Sequence, residues 1–256
     1  MYKVDRKGSK AGKSKRITIW VVSMLALCVI IGTIAFQLFT YHPNSRAIAA
    51  LSNEAKVTVR ESKGLLVFRP KGEVKQPSII LYPGALVEAS CYAAWGSQLA
   101  ETGHSVYIVK MPFNLAVFGK NRADDIIDGH PEESFIIGGH SLGGLMAARY
   151  TAEHSDKLKG MFFLASYADS KGDLSKKGLP VLQLTASKDG ILPWSAWREN
   201  KVNLPADTAF VSIEGGNHSQ FSSFDSQRGD NVPSISEKEQ HQQLLAALKT
   251  WMNKIK

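Results

Sequence analysis

Between Ser134 and Tyr150 the sequence changes its hydrophobic period at a serine bracketed by glycines. The run Ser134-Phe135-Ile136-Ile137-Gly138 is continuously apolar and short, as in a strand buried on both faces. Leu145-Met146-Ala147-Ala148-Arg149-Tyr150 has the composition of a helix. Between them stands Gly139-His140-Ser141-Leu142-Gly143, with Gly144 after it. A strand that turns directly into a helix brings the backbone too close to its neighbours for a Cβ, so glycine is required on either side. The serine is left at the tip of a strained turn, with its Oγ presented outward. The helix N-terminus beneath it aims backbone N–H groups at any negative charge developing there. Such a turn belongs with sheets of buried, parallel strands.

The rest of the chain agrees. Lys56–Arg60 and Gly64–Arg69 read as paired strands. Ser78–Tyr82, Ser105–Lys110, Met161–Ala165, Val181–Ala186 and Ala209–Glu214 read as further strands. Tyr92–Glu101, Asn121–Asp128, Leu142–His154 and Ser236–Lys254 read as helices. Alternation of this kind implies an α/β fold with a mostly parallel sheet covered by helices on both faces. The stretch 216–235, rich in Ser, Gln, Asp and Gly, reads as irregular.

A serine hydroxyl needs a base to act as a nucleophile, and the base needs an orienting acid. In a parallel sheet such groups collect at the carboxyl ends of strands. Asp189, in Ser187-Lys188-Asp189-Gly190, follows the strand ending at Ala186. His218, in Gly215-Gly216-Asn217-His218, follows the strand ending at Glu214. The order Ser141, Asp189, His218 is the one expected for this turn. Asp169, after the strand ending at Ala165, is the alternative acid. His140 is expected to pack beside the turn. His42, His104, His130, His154 and His241 show no metal-ligand spacing, and neither metal nor organic cofactor is called for. Two backbone donors are expected for an oxyanion: Leu142 N–H, and one from the loop after Tyr82. Pro83 has no N–H, which leaves Gly84, Ala85 or Leu86, with Ala85 favoured.

These segments resemble the α/β-hydrolase superfamily, in particular its small bacterial fold-5 branch, which is related to the dienelactone hydrolases. The resemblance runs from about Leu65 to Trp251. It rests on Leu81-Tyr82-Pro83-Gly84, Met111-Pro112-Phe113-Asn114-Leu115-Ala116, Gly138 to Gly144 and Gly215-Gly216-Asn217-His218-Ser219-Gln220-Phe221. It implies a Ser-Asp-His triad on Ser141, Asp189 and His218. Dienelactone hydrolases use a cysteine where this chain has Ser141, so their substrate is not implied.

The chain's 256 residues carry a net charge of +8, distributed unevenly. Residues 1–16 hold seven of the 31 basic residues and one of the 23 acidic ones. The remainder is nearly neutral and has no basic stripe interleaved with aromatics, so no nucleic-acid partner is indicated. Residues 17–39 contain no charge over 23 positions, enough to cross a hydrocarbon core of roughly 30 Å. Trp20 and Tyr41 suit the two interfaces, and the basic cluster places residues 1–16 in the cytoplasm. The expected organisation is a basic tail (1–16), a transmembrane signal anchor (17–39), a tether (40–54) and a hydrolase domain (55–256) outside the cell membrane. The run is longer than the 7–15-residue core usual in a cleaved signal peptide. Ala47-Ile48-Ala49 resembles a cleavage site and keeps that alternative open. Cys28 and Cys91 lie in different regions, and Cys91 reads as a small buried residue.

Ser166–Gly178, 13 residues, is too short for a large cap domain, which implies an open site. The apolar loop Pro112–Phe118 reads equally as a buried connection, a wall for an acyl chain or a surface facing lipid. The expected partner is thus a small-molecule or lipid-like acyl substrate, cleaved as an ester. A silent binding protein, an amidase or an acyltransferase on the same residues are the alternatives.

Overall fold

The computed structural model describes residues 8–52 and 55–255. It divides into two compact units that meet between Thr40 and Tyr41. The first is a single helix, α1 (Gly8–Phe39). Its stretch Lys15–Phe39, 25 residues, is long and apolar enough to cross a membrane. α1 starts inside the expected tail, whose residues 1–7 lie outside the described part.

The second unit is an eight-stranded sheet in the order β1-β2-β4-β3-β5-β6-β7-β8. β1 (Val57–Glu61) and β2 (Leu65–Pro70) form a hairpin, and β2 lies antiparallel to β4 (His104–Val109). From β4 onward, through β3 (Lys75–Tyr82), β5 (Phe135–His140), β6 (Gly160–Leu164), β7 (Val181–Ala186) and β8 (Ala209–Ile213), every pairing is parallel. β5, β6 and β7 are buried throughout, which is why they read as unbroken apolar runs rather than alternating ones.

The two faces carry separate cores. Trp95 and Leu99 of α3 (Ala93–Ala100) pack on one face with Leu244, Leu248 and Trp251 of α7 (Glu237–Met252). On the other face Ile126 of α4 (Arg122–Gly129) packs with Met146, Ala147 and Tyr150 of α5 (Leu142–Glu153). Full burial of each large apolar side chain contributes about 1.5–3 kcal/mol. α7 begins in a reciprocal cap: Glu239 N–H donates to Ser236 Oγ at 3.2 Å, and Ser236 N–H donates to Glu239 Oε2 at 2.7 Å.

The expected tether is not one. Asn44 caps a short helix, α2 (Ser45–Ala49), by accepting from the amides of Arg46 and Ala47, both at 3.1 Å. Ala47 is buried in the α3/α7 core. The ring of Tyr41 stacks on Phe224 at 4.6 Å, and Arg46 Nη1 donates to Glu237 Oε1 of α7 at 2.9 Å. The second unit therefore begins at Tyr41, not at residue 55. Composition concealed this, because a five-residue helix is held by its docking rather than by propensity. A further short helix, α6 (Trp194–Glu199), was also not legible from period alone.

Candidate active site

The chain travels outward from β3 to β4 and then returns past β3 to β5. That reversal opens a crevice at the carboxyl ends of β3 and β5. Ser141 stands there with φ 51° and ψ −122°, a conformation costly for any residue with a Cβ. The surroundings enforce it. A Cβ on Gly139 would strike the backbone of Gly143 and Gly144, and one on Gly143 would strike the carbonyl oxygens of Tyr82 and Pro83. Ser141 N–H donates to Leu164 O at 3.0 Å, and Ser166 Oγ donates to Ser141 O at 2.6 Å. The turn is thus held by β6 and the residues after it.

The structure brings Asp189 and His218 together. His218 Nδ1 lies 2.9 Å from Asp189 Oδ2, and both side chains are buried. Asp189 Oδ1 accepts from the amides of Ile191 (2.8 Å) and Leu192 (2.7 Å), which fixes the carboxylate in its own loop. His218 Nε2 is buried and has no hydrogen-bond partner, so it forms no hydrogen bond with Ser141 Oγ in this conformation. Asp169, the alternative acid, is instead bound to Arg149 through Nε at 3.1 Å and through Nη2. It accepts from Gly172 N–H and serves the loop after β6.

The oxyanion candidates separate cleanly. Leu142 N–H is the first amide of α5 and has no acceptor within the helix. Gly84 N–H, expected among the donors, is committed: it donates to Tyr92 Oη at 2.9 Å. Leu86 N–H donates to Asn114 O at 2.8 Å. Among the described residues Ala85 N–H has no acceptor, which leaves it the available amide of this loop.

Four contributors had no signal in the sequence. Tyr92 Oη links Gly84 N–H to His140 Nδ1, 2.9 Å away. Burial keeps the Tyr92 phenol protonated by raising its pKa. His140 is buried as expected, its ring 4.6 Å from that of His218. Burial, and then the proximity of His218, hold its pKa well below the ordinary value, so it is neutral. Asp230 bridges the loops that carry Asp189 and His218: Oδ1 accepts from Gly190 N–H at 3.0 Å, and Oδ2 accepts from Ser219 N–H at 2.8 Å and from Ser219 Oγ at 2.7 Å. Gln240 of α7 clamps Asn217 from both sides, accepting its N–H at 2.9 Å and donating to its carbonyl at 2.8 Å. Ser166 is the fourth. Each reaches a partner eight or more residues away in sequence, which periodicity does not register.

Among the described residues no capping domain covers the crevice. The connection from β6 to β7 lies on the domain, with Ala168 and Leu174 buried in the α5-side core. Among the described residues no group of three His, Cys, Asp or Glu side chains is placed to hold a metal ion.

The sequence model of the Alpha/beta hydrolase family matches residues 78–242, a span that starts within β3 and contains β4 to β8, the strained serine and the Asp189–His218 pair. The chain belongs to the alpha/beta hydrolase family. This hydrolase shares its fold with many solved structures. Est1E from Butyrivibrio proteoclasticus, solved with ferulic acid, matches at 13% identity with TM-score 0.57, over 80% of this chain and 99% of Est1E. The hydrolase MGS-MChE2, from the metagenome of lagoon sediments of Mar Chica, Morocco, matches at 14% identity with TM-score 0.57, over 77% and 98% of the two chains. Mouse alpha/beta hydrolase domain-containing protein 10 matches at 16% identity with TM-score 0.54, over 78% and 99%. Among curated proteins no sequence matches.

Proposed function

We propose that this hydrolase is a membrane-tethered serine esterase using Ser141, His218 and Asp189. The observation that carries the reading is the combination of a strained, partly exposed serine with an Asp189-bound imidazole whose Nε2 is otherwise unpaired. The contact between Ser141 Oγ and His218 Nε2 forms when substrate tightens the apo site.

In the first half-reaction His218 Nε2 takes the hydroxyl proton while Ser141 Oγ bonds to the ester carbonyl carbon. The carbonyl electron pair moves to oxygen, where Leu142 N–H and Ala85 N–H receive it. Collapse of this intermediate breaks the bond to the alcohol oxygen, which leaves with the proton from His218. Water then repeats the sequence on the acyl-enzyme: His218 takes a proton from water, hydroxide adds to the carbonyl, and Ser141 Oγ departs with that proton. Asp189 stays ionised, holding the imidazolium and its tautomer.

The tether is α1. The seven basic residues in 1–16 favour a cytoplasmic N-terminus, which puts the catalytic unit on the outer side. The docking of α2 favours a retained anchor, since cleavage after Ala49 would remove Tyr41, Asn44 and Ala47 from their contacts.

A fluorophosphonate probe should label the wild type on Ser141, and Ser141→Ala should abolish both labelling and hydrolysis of p-nitrophenyl esters. A folded wild type that takes no label would refute the enzymatic reading in favour of a binding protein.

A further inference from the structure

The domain exposes few large apolar side chains, and three of them share one loop. Phe113 is 70% exposed, Val117 47% and Phe118 62%, with the two phenyl rings 6.0 Å apart edge to face. This loop follows β4. Phe113 and Asn114 both have positive φ, 53° and 51°, so the backbone turns the Phe113 ring outward at a conformational cost. A loop that only filled the core would not hold two phenylalanines in water.

The loop lies next to the point where the membrane span joins the domain. The span ends at Phe39, and Tyr41 is already fixed in the domain. Tyr41 N–H donates to Leu86 O at 2.7 Å, and Glu88 N–H donates to Tyr41 O at 3.2 Å. Leu86 N–H in turn donates to Asn114 O at 2.8 Å, between Phe113 and Phe118. Two residues of chain reach at most about 7 Å, so the attachment point is at the membrane surface whichever way the span leaves it. One residue, Leu86, therefore separates the attachment strand from the aromatic loop. Leu86 also follows Ala85, the proposed oxyanion donor.

We propose that Phe113, Val117 and Phe118 dock in the surface of the bilayer that holds the anchor, and that Ser141 receives ester-linked acyl chains directly from that leaflet. The inference rests on the anchored-esterase reading and specifies its substrate class. A patch of aromatic and aliphatic side chains beside an anchor buries itself in the interfacial region. An acyl chain then passes from the leaflet to the β3 and β5 ends without crossing water, while Phe113 and Phe118 act only in docking. The absence of a capping domain fits, because the bilayer does the covering.

The test uses the full chain in phosphatidylcholine vesicles containing doxyl-labelled lipid, with a thiol-reactive bimane at one of three positions. These are native Cys28 in the span, Phe118→Cys, and Val202→Cys, which precedes the amino end of β8; the latter two are made with Cys28→Ser. Bimane at 28 and 118 should be quenched severalfold more than at 202. Quenching at 118 no greater than at 202, with 28 quenched, overturns the docking and leaves the anchor standing. If 28 is also unquenched, the anchor falls and the docking with it. The double variant Phe113→Ser/Phe118→Ser supplies the second readout. Hydrolysis of dissolved p-nitrophenyl acetate should stay within twofold of wild type, while hydrolysis of vesicle-borne p-nitrophenyl palmitate should fall at least tenfold. Equal effects on the two esters overturn delivery from the membrane. A wild type inert toward both esters refutes that delivery together with the esterase reading, while the quenching still decides the docking.

Discussion

Replacing Asp189 by asparagine tests the proposed chemistry with almost no change of shape. Asp189 Oδ1 holds two backbone amides, Ile191 at 2.8 Å and Leu192 at 2.7 Å, and Oδ2 faces His218 Nδ1 at 2.9 Å. An asparagine has one acceptor oxygen for these two positions. If its NH2 turned toward the amides of Ile191 and Leu192, two buried donors would lose their acceptor, at a cost of about 1–3 kcal/mol each. If its oxygen stays there, the NH2 faces His218 Nδ1, and the imidazole moves its proton to Nε2. That arrangement keeps both backbone amides paired and breaks no hydrogen bond of the wild type, so it wins. A protonated Nε2 cannot accept the Ser141 proton. Wrong-tautomer asparagine substitutions in such triads lower kcat by about 10⁴, or about 5 kcal/mol of barrier. The assay is kcat on p-nitrophenyl acetate for wild type and Asp189→Asn, with imidazole 15N chemical shifts reporting the tautomer. A variant within tenfold of wild type, with the proton still on Nδ1, would refute both the assignment of the acid and this reasoning.

Asp230→Ala should lower kcat on the same ester tenfold or more with KM little changed, because it releases Gly190 and Ser219 from their common acceptor; an unchanged kcat would show that the two loops hold their places without it. Stability should fall in acid through His241, whose pKa is lowered to about 3 by burial first and the charge of Arg46 second. The unfolded chain binds this proton below about pH 6.5 and the folded one only near pH 3, so the stability is complete above 6.5 and lost on descending to 3. At pH 5 the loss is about 2 kcal/mol. Urea unfolding at pH 7.5 and 5.0 should show His241→Gln losing about 2 kcal/mol less than wild type over that interval; equal losses would contradict the assignment.

The legible parts of this protein were those encoded over short stretches. The buried strands announced themselves because a strand covered on both faces must be apolar at every position, as β5 to β7 are. Ser141 was legible because a strand-to-helix turn this tight excludes side chains at Gly139 and Gly143. The tether was misread because Ala47 and Tyr41 acquire their roles only from partners more than forty residues away. The expectation of Gly84 as an oxyanion donor missed a shorter link, since the hydroxyl that engages its amide belongs to Tyr92, eight residues on, and no periodic pattern marks that pairing.

Sequence by itself determined the alternation of strand and helix, the apolar run, the strained serine and the order in which Asp189 and His218 follow it. These depend on period, composition and backbone sterics, which act between near neighbours. Only the tertiary structure decided that Asp189 rather than Asp169 holds His218, since Arg149 occupies the other carboxylate. It also decided that Ala85 has the unengaged amide, and that the aromatic loop after β4 is joined to Tyr41, where the second unit begins, through Leu86 alone. Those outcomes depend on which groups reach one another after the sheet has formed, and the order β4-β3-β5 brings together residues the chain keeps apart.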